Sequence, residues 1–166
     1  MPAPAVYGLP HTWPHIRAAF ERAGFRHVGD TEVILIARVP DLPPAEARPG
    51  IRVQRTLGEC GTRLTAYADA RILGFIEVDT SLARPERHAR GAGLADIGNL
   101  HIDPGAYDTG LEHWLLAQAA DWLCLCGVDR LLACEPSTDQ VAIDHLTLAG
   151  FRELTRTDRH WEHRPG

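Results

Sequence analysis

Residues 1–40 contain two distinct hydrophobic patterns. Four apolar residues recur at helical spacing, and they are Ile16, Ala19, Phe20 and Ala23. Pro14 suits the first turn of a helix, and Thr12 is a residue type preferred at the N-cap. The pattern therefore predicts a helix that runs to about Ala23 and is capped by Gly24. Residues 32–39 follow as a continuous apolar, β-branched run, which predicts a strand buried on both faces.

Residues 41–50 carry three prolines, few apolar side chains and a final glycine, which predicts a semi-rigid linker. The polar, arginine-rich residues 82–93 are predicted to form a loop. The remaining periodicity predicts strands at 51–55, 62–67, 72–79 and 95–102, a helix at 111–125, a strand at 130–134, a helix within 136–149 and a strand at 153–161. The second and third of these strands are expected to form an antiparallel pair with its turn at Asp69-Ala70. This order predicts a mixed α/β fold with helices packed on the sheet.

The composition and net charge argue against several classes of partner and cofactor. The 166 residues are 45% apolar and 23% charged, which fits one folded domain of ordinary size. A net charge of −5 argues against a nucleic-acid partner, because a phosphate-backbone binder needs a basic surface. The four cysteines include no C-x-x-C pair, and no histidine pair has a nearby Cys or Glu in a known ligand register, so no metal site is expected. The sequence shows no signal peptide and no apolar run of membrane-spanning length, which predicts a cytoplasmic location.

Four segments after the linker share an order and spacing with a known family: residues 72–78, Leu100-His101-Ile102, residues 107–112 and residues 146–151. They resemble the core hairpin strand, the strand lining acetyl-CoA, the pyrophosphate loop and the Tyr-x-x-x-Gly-Phe helix end of the GNAT superfamily of N-acyltransferases. The resemblance covers about residues 51–163. It implies an α/β fold whose mixed, largely antiparallel sheet carries helices on both faces. It also implies that acetyl-CoA is the donor substrate, bound by Leu100, His101, Ile102, Tyr107, Thr109, Gly110 and Leu111.

The N-terminal region resembles the end of a second such domain. Residues 20–25 are similar to the same helix end, and residues 32–39 to the strand after it. The implied organisation is a helix-strand remnant at 1–40, a linker at 41–50 and a GNAT-like domain at 51–166, as in the C-terminal half of a tandem GNAT protein. A truncated tandem protein would expose a sheet edge, so a homodimer is expected.

The pyrophosphate loop departs from the family pattern of Gln or Arg, two residues, Gly, one residue, then Gly or Ala. Only Gly110 fits, because Tyr107 replaces the basic residue and Glu112 replaces the small one. Asp108 and Glu112 would place carboxylates beside the anion site and weaken phosphate binding. Acidic residues also complement the positive end of a helix dipole, so a capped helix without a ligand is the alternative.

Three residues are candidates for the base that deprotonates the amine: Glu77, Asp96 and His101. Carboxylates can act through water, and histidine has a suitable intrinsic pKa. The alternatives are a solvent-facing strand position for Glu77 and a hydrogen-bonded strand position for His101. The family's tyrosine that protonates the leaving thiolate corresponds to Leu146, which cannot donate a proton.

These observations support two functional hypotheses. One is an acyl-CoA-dependent N-acyltransferase, with acetyl as the expected acyl group and a small-molecule amine as acceptor. The other is a non-catalytic GNAT-like module that binds a small molecule or depends on a partner, its cofactor site having decayed.

Overall fold

The computed structural model describes residues 8–80, 93–106 and 110–163. The strands are β1 Leu9–Pro10, β2 Phe25–His27, β3 Thr31–Arg38, β4 Ile51–Gly58, β5 Gly61–Ala68, β6 Arg71–Asp79, β7 Leu94–Ile102, β8 Arg130–Pro136, β9 Arg152–Asp158 and β10 Trp161–His163. The helices are α1 Pro14–Arg22, α2 Leu111–Leu125 and α3 Gln140–Leu148. The described chain forms two compact units, one from residues 37–133 and one from the residues before and after that segment.

The unit of residues 37–133 is built on consecutive antiparallel strands. Its strand order is β8-β7-β6-β5-β4, in which β4, β5, β6 and β7 pair antiparallel and β7 pairs parallel with β8. Helix α2 packs against β5, β6 and β7. The guanidinium carbon of Arg55 lies 3.8 Å from the ring centre of Trp122 on α2, and Arg55 shares the sheet face of Leu64 and Ile76. Helix α2 therefore covers the face that carries the buried Ile76 and Val78.

The other unit joins the two ends of the chain. Strand β9 pairs antiparallel with both β1 and β3, and the short strands β2 and β10 form a separate antiparallel ribbon. The core of this unit includes Val33, Ile34 and Phe151. The buried carboxylate of Asp158 accepts hydrogen bonds from His11 and Thr31 at 2.8 Å each and forms an ion pair with Arg17. Polar contacts therefore fix the N-terminal segment onto the C-terminal strand.

Most predicted elements are confirmed, including the buried strand at 31–38, the hairpin turn at Asp69-Ala70 and helix α2. The mixed α/β fold with a largely antiparallel sheet is confirmed as well. The predicted loop at 82–93 lies almost entirely outside the described residues, and only Gly93 is described.

Two local predictions are wrong. Helix α1 has Trp13 rather than Thr12 at its N-cap, because a turn from Pro10 to Trp13 precedes the helix. The strand predicted at 153–161 is two strands, β9 and β10, separated by His160 at a φ of 55°. The β-carbon of His160 lies against the backbone of Gly29, so a β-carbon added at Gly29 would lie only 2.5 Å from it. Glycine is therefore required at that contact.

Candidate functional site

Strand β7 loses its parallel partner part-way along its length. Its register with β8 covers only Leu94 to Asp96, opposite Arg130 to Leu132, whereas its pairing with β6 continues to Ile102. Within the described residues, the stretch from 97 to 102 therefore has a strand partner on one edge only. A free edge of this kind presents backbone N–H and C=O groups to an extended ligand. The predicted donor-binding residues Leu100, His101 and Ile102 lie in this stretch.

A bulge in β7 sets the direction of its side chains. The register with β6 shifts by one residue between the pairs Glu77–Asn99 and Val78–Ile97, which leaves Gly98 as the extra residue. A β-carbon on Gly98 would lie 2.3 Å from the β-carbon of Cys60, so the turn between β4 and β5 lies directly against the bulge. Only glycine allows this approach.

The register places the three predicted catalytic residues on one face of the sheet. Asp96 lies opposite Asp79, and His101 lies opposite Phe75. Opposite residues in an antiparallel pair share a face, and Asp79 and Phe75 are on the same side of β6 as Glu77. The bulge therefore brings Asp96 back to the face of Glu77 and His101, opposite the face covered by α2. Asp96 is half-buried, at the last position of the parallel pairing.

The carboxylate of Glu77 is fully buried and accepts three hydrogen bonds. Oε1 accepts from Nε of Arg63 at 2.5 Å and from the backbone N–H of Glu59 at 3.2 Å, and Oε2 accepts from the backbone N–H of Cys60 at 3.1 Å. Burial raises the pKa of Glu77, but these hydrogen bonds outweigh it, so the pKa lies below its ordinary value of 4.5. The alternative of a solvent-facing Glu77 is wrong, because the residue is 0% exposed.

Glu77 also determines the chain path at the turn between β4 and β5. A β-carbon on Gly58 would lie 2.3 Å from Oε1 of Glu77, so the glycine lets the backbone close over the carboxylate. The buried charge thus holds the turn that carries Cys60. Burial raises the pKa of the Cys60 thiol, and the nearby carboxylates of Glu77 and Glu59 raise it further. Because the thiol is protonated near neutral pH, Cys60 is a weak nucleophile.

His101 is the most accessible of the three predicted catalytic residues. Its side chain is exposed, and its ring centre lies 5.5 Å from that of the half-buried Phe75. The guanidinium carbon of Arg63 lies 4.3 Å from the Phe75 ring centre. An exposed imidazole beside an aromatic surface can exchange a proton with a molecule bound on this face.

The predicted anion site begins at Gly110, which directly precedes α2. Gly110 adopts a left-handed conformation with a φ of 67°, and as a glycine at the N-cap it has no side chain with which to cap the helix. The backbone N–H of Trp114 donates to the carbonyl oxygen of Gly110 at 3.2 Å and closes the first helical turn. Leu111 is buried, and Glu112 is in the first turn. The predicted residues Tyr107 and Thr109 lie outside the described residues.

An arginine that was not among the predicted site residues also lies at this helix end. The side chain of Arg48 donates from Nη2 to the carbonyl oxygen of Gly110 at 3.0 Å. Its guanidinium carbon lies 5.8 Å from the ring centre of Trp114. No local pattern predicts this placement, because it depends on how residues 41–50 pack along α2.

Other potential ligand groups are limited in the described part of the chain. No group of three His, Cys, Asp or Glu residues there is arranged to hold a metal ion. No helix in the same residues is long and apolar enough to cross a membrane. Leu146, which was predicted to correspond to the family's tyrosine, is 2% exposed.

Comparison with solved structures identifies the fold. A GCN5-related N-acetyltransferase from Sphaerobacter thermophilus matches with a TM-score of 0.68 and 15% identity, over 96% of this chain and 59% of that one. A tandem GNAT protein from the clavulanic acid biosynthesis pathway matches with a TM-score of 0.70 and 11% identity, over 100% of this chain and 62% of that one. A GCN5-related glucosamine N-acetyltransferase region of a fungal multi-domain β-N-acetylglucosaminidase matches with a TM-score of 0.67 and 12% identity, over 95% and 24%.

The chain therefore has the fold of the GCN5-related N-acetyltransferases, including that of a tandem GNAT protein. It spans about three fifths of the length of the Sphaerobacter and clavulanic acid pathway proteins. No protein-family model matches the sequence, and no curated protein matches it.

Proposed function

We propose that this chain is an acyl-CoA-dependent N-acyltransferase, with acetyl-CoA as donor and a small-molecule amine as acceptor. The observation that carries the proposal is the end of the β7–β8 pairing at Asp96 and Leu132, followed along the chain by α2 with Gly110 at its start. A strand edge and a helix N-terminus are the two features that a long ligand with amide groups and a diphosphate requires. The fold likeness supports the same assignment.

The residues present fit this donor. The edge of β7 at Leu100, His101 and Ile102 offers backbone groups to the amide-containing arm. The N-terminus of α2 offers N–H groups to the diphosphate. A β-carbon on Gly110 would lie 3.2 Å from Nη2 of Arg48, so the glycine leaves room for the guanidinium at this helix end. When bound, acetyl-CoA supplies the acyl group, whose transfer forms a carbon–nitrogen bond to the amine and releases the thiol.

Among the three predicted bases, His101 is best placed to accept the proton of the amine. Its imidazole is exposed on the face that it shares with Phe75 and Glu77. Glu77 is a weak proton acceptor, since three donors hold its carboxylate in the ionised form. In this assignment Glu77 positions the turn between β4 and β5. Asp96 remains a second candidate base, at the point where the two strands separate.

The acceptor is proposed to be a small molecule because the fungal region of similar fold is described as a glucosamine N-acetyltransferase. The net charge of −5 is compatible with a cationic amine. Cytoplasmic location and a homodimer belong to this proposal as well, and size-exclusion chromatography with light scattering tests the dimer.

Two observations favour a non-catalytic binding module as the second candidate. Leu146 is buried and apolar where the family has its proton donor, and the carboxylate of Glu112 stands in the first turn of α2. Such a module would keep the acceptor surface and bind no acyl-CoA.

Calorimetric titration of the whole chain with acetyl-CoA separates these functions. Binding with a micromolar dissociation constant supports the acyltransferase, and release of free thiol in the presence of a panel of amines then identifies the acceptor. No binding at millimolar acetyl-CoA would exclude the acetyltransferase, and binding of an amine alone would support the non-catalytic module. A variant with His101→Gln should bind acetyl-CoA but release thiol more slowly.

A further inference from the structure

Arg63 holds a guanidinium group in a fixed position on the sheet face that carries His101. The register places Arg63 opposite Glu77, and its Nε donates to Oε1 of that carboxylate at 2.5 Å. Its guanidinium carbon lies 4.3 Å from the ring centre of Phe75, and its side chain is 31% exposed. An arginine held both at Nε and by an aromatic ring loses little conformational entropy when it binds an anion.

The ion pair with Glu77 uses only part of this guanidinium. The Glu77 carboxylate accepts from Nε of Arg63 and from the backbone N–H groups of Glu59 and Cys60. Within the described residues, Nη1 and Nη2 of Arg63 have no hydrogen-bond partner. These two nitrogens carry the remaining N–H groups of a planar fork, whose geometry matches the two oxygens of a carboxylate. Arg63 therefore has donors beyond those that its ion pair requires.

Thr65 adds a buried hydroxyl group beside this fork. It follows Arg63 by two residues on β5, so the two side chains share a face, and it lies opposite Phe75. Only 6% of Thr65 is exposed, and its hydroxyl has no hydrogen-bond partner among the residues that the structure describes. A buried hydroxyl is unfavourable unless a bound molecule or a water completes its hydrogen bonds. Thr65 therefore points to a polar ligand on this face independently of Arg63.

Both polar groups lie close to the proposed base. Thr65 and His101 flank Phe75 on the neighbouring strands β5 and β7. The ring centre of His101 lies 5.5 Å from that of Phe75, so the guanidinium carbon of Arg63 and the imidazole can be no more than about 10 Å apart. Hydrogen bonds of about 3 Å at each end leave room for a short carbon chain. An amine at His101 can therefore place a carboxylate at Arg63 and Thr65.

We propose that the acceptor is an amine that carries a carboxylate a few bonds from its nitrogen, and that Arg63 and Thr65 bind this carboxylate. The inference rests on the proposed function and names the class of its acceptor. The negative carboxylate complements the guanidinium in charge. An amine without this group would leave the donors of Arg63 and Thr65 unpaired, and a site built to form such hydrogen bonds discriminates against the analogue that lacks them.

The test compares each amino acid with its own amide. The acids are glycine, β-alanine and 4-aminobutyrate, and the amides are glycinamide, β-alaninamide and 4-aminobutyramide. Thiol release from acetyl-CoA gives kcat/KM for each acceptor, and ligand-observed NMR measures binding of each without the donor. The variants are Arg63→Gln, Thr65→Val and the matched control Arg52→Gln. Arg52 is on the same face with its guanidinium carbon 5.2 Å from the ring centre of Tyr67, and its replacement changes the net charge equally.

The wild type is expected to prefer at least one of the acids over its amide by about 10- to 100-fold in kcat/KM, the range for hydrogen bonds to a charged group. Arg63→Gln should remove most of this preference, because it slows the acid much more than the amide. Thr65→Val should reduce the preference by about 3- to 10-fold, and Arg52→Gln should retain it. Acid and amide differ in amine basicity equally for every variant, so a change in their ratio reports on the protein.

Three results would overturn the carboxylate site while leaving the proposed function intact. The first is a wild type that binds acetyl-CoA but prefers no acid, in turnover or in binding. The second is a preference that both variants retain, and the third is an equal loss for acid and amide, which would indicate damage to the fold. A wild-type chain that does not bind acetyl-CoA would overturn both proposals. Thermal unfolding identifies any loss of folding, and Thr65→Val keeps the test decisive if Arg63→Gln does not fold, because it preserves the pair of Arg63 with Glu77.

Discussion

Replacing Glu77 by glutamine tests whether the buried carboxylate holds the turn between β4 and β5. Glutamine keeps the shape, but its single carbonyl oxygen cannot accept hydrogen bonds from Arg63 and from both backbone N–H groups. Its NH2 group is also a donor, so it cannot pair with any of these three donors. Removing one partner of a fully buried ion pair costs about 3–5 kcal/mol. The side chain of Arg63 is 31% exposed and can regain water, so we expect a smaller loss of about 2–3 kcal/mol in the free energy of unfolding.

Urea unfolding followed by tryptophan fluorescence measures this loss. The matched control is Glu153→Gln, which breaks the surface pair of Glu153 with Arg156, in which the glutamate side chain is 47% exposed. A surface pair contributes about 0–1 kcal/mol, so the control should change little. Equal losses in the two variants would refute the idea that burial makes the Glu77 interaction strong.

The pH dependence of the free energy of unfolding provides a second test of the Glu77→Gln variant. The pKa of Glu77 is lower in the folded chain than its ordinary value of 4.5, so the ionised carboxylate stabilises the fold above that pH. This contribution is lost as the pH falls from 4.5 through the lower folded-state pKa. The difference in stability between wild type and Glu77→Gln should therefore shrink in acid. A difference that does not change with pH would mean that shape, and not charge, accounts for the loss.

Three further predictions concern the same face of the sheet. Gly58→Ala should lower stability by about 1–3 kcal/mol, because its β-carbon would overlap the Glu77 carboxylate; unchanged urea unfolding would contradict this. Cys60 should react with a thiol reagent near neutral pH more slowly than the exposed Cys124, because its pKa is raised; equal rates would show that burial and charge do not suppress the thiolate. His101→Gln should lower the rate of thiol release by about 10²-fold with little change in acetyl-CoA affinity, and an undiminished rate would exclude it as the base.

Elements with a strong local pattern could be predicted from the sequence. Helix α2 has the predicted bounds because its apolar spacing and Gly127 define both its length and its end. The break at His160 could not be predicted, because its left-handed conformation accompanies a close contact with Gly29, which is distant in sequence. Only tertiary packing determines such a position.

In the candidate site, too, positions with a local sequence pattern could be predicted and positions set by tertiary packing could not. The position of His101 on a strand followed from the pattern, and its exposure agrees with a residue that can meet a ligand. The burial of Glu77 could not be predicted, because it depends on the register that places Arg63 opposite and on the turn that closes over it. The flanking glycines, Gly58 and Gly61, were the only local signal of a close approach. The position of Arg48 gave no local signal, since its contact with Gly110 depends on the path of the linker along α2.

One compact unit is formed by two segments that residues 37–133 separate in the sequence, and this separation affects the order in which the chain can fold during synthesis. Residues 37–133 are continuous and contain consecutive hairpins, so this unit can begin to fold while the chain is still being synthesised. The other unit needs β1 and β3 to pair with β9, and β9 is synthesised only after residues 37–133. Until then the apolar side chains of β3 have no partner strand from β9. A chaperone that shields this early segment should therefore increase the yield of folded protein more than one that acts on the finished chain.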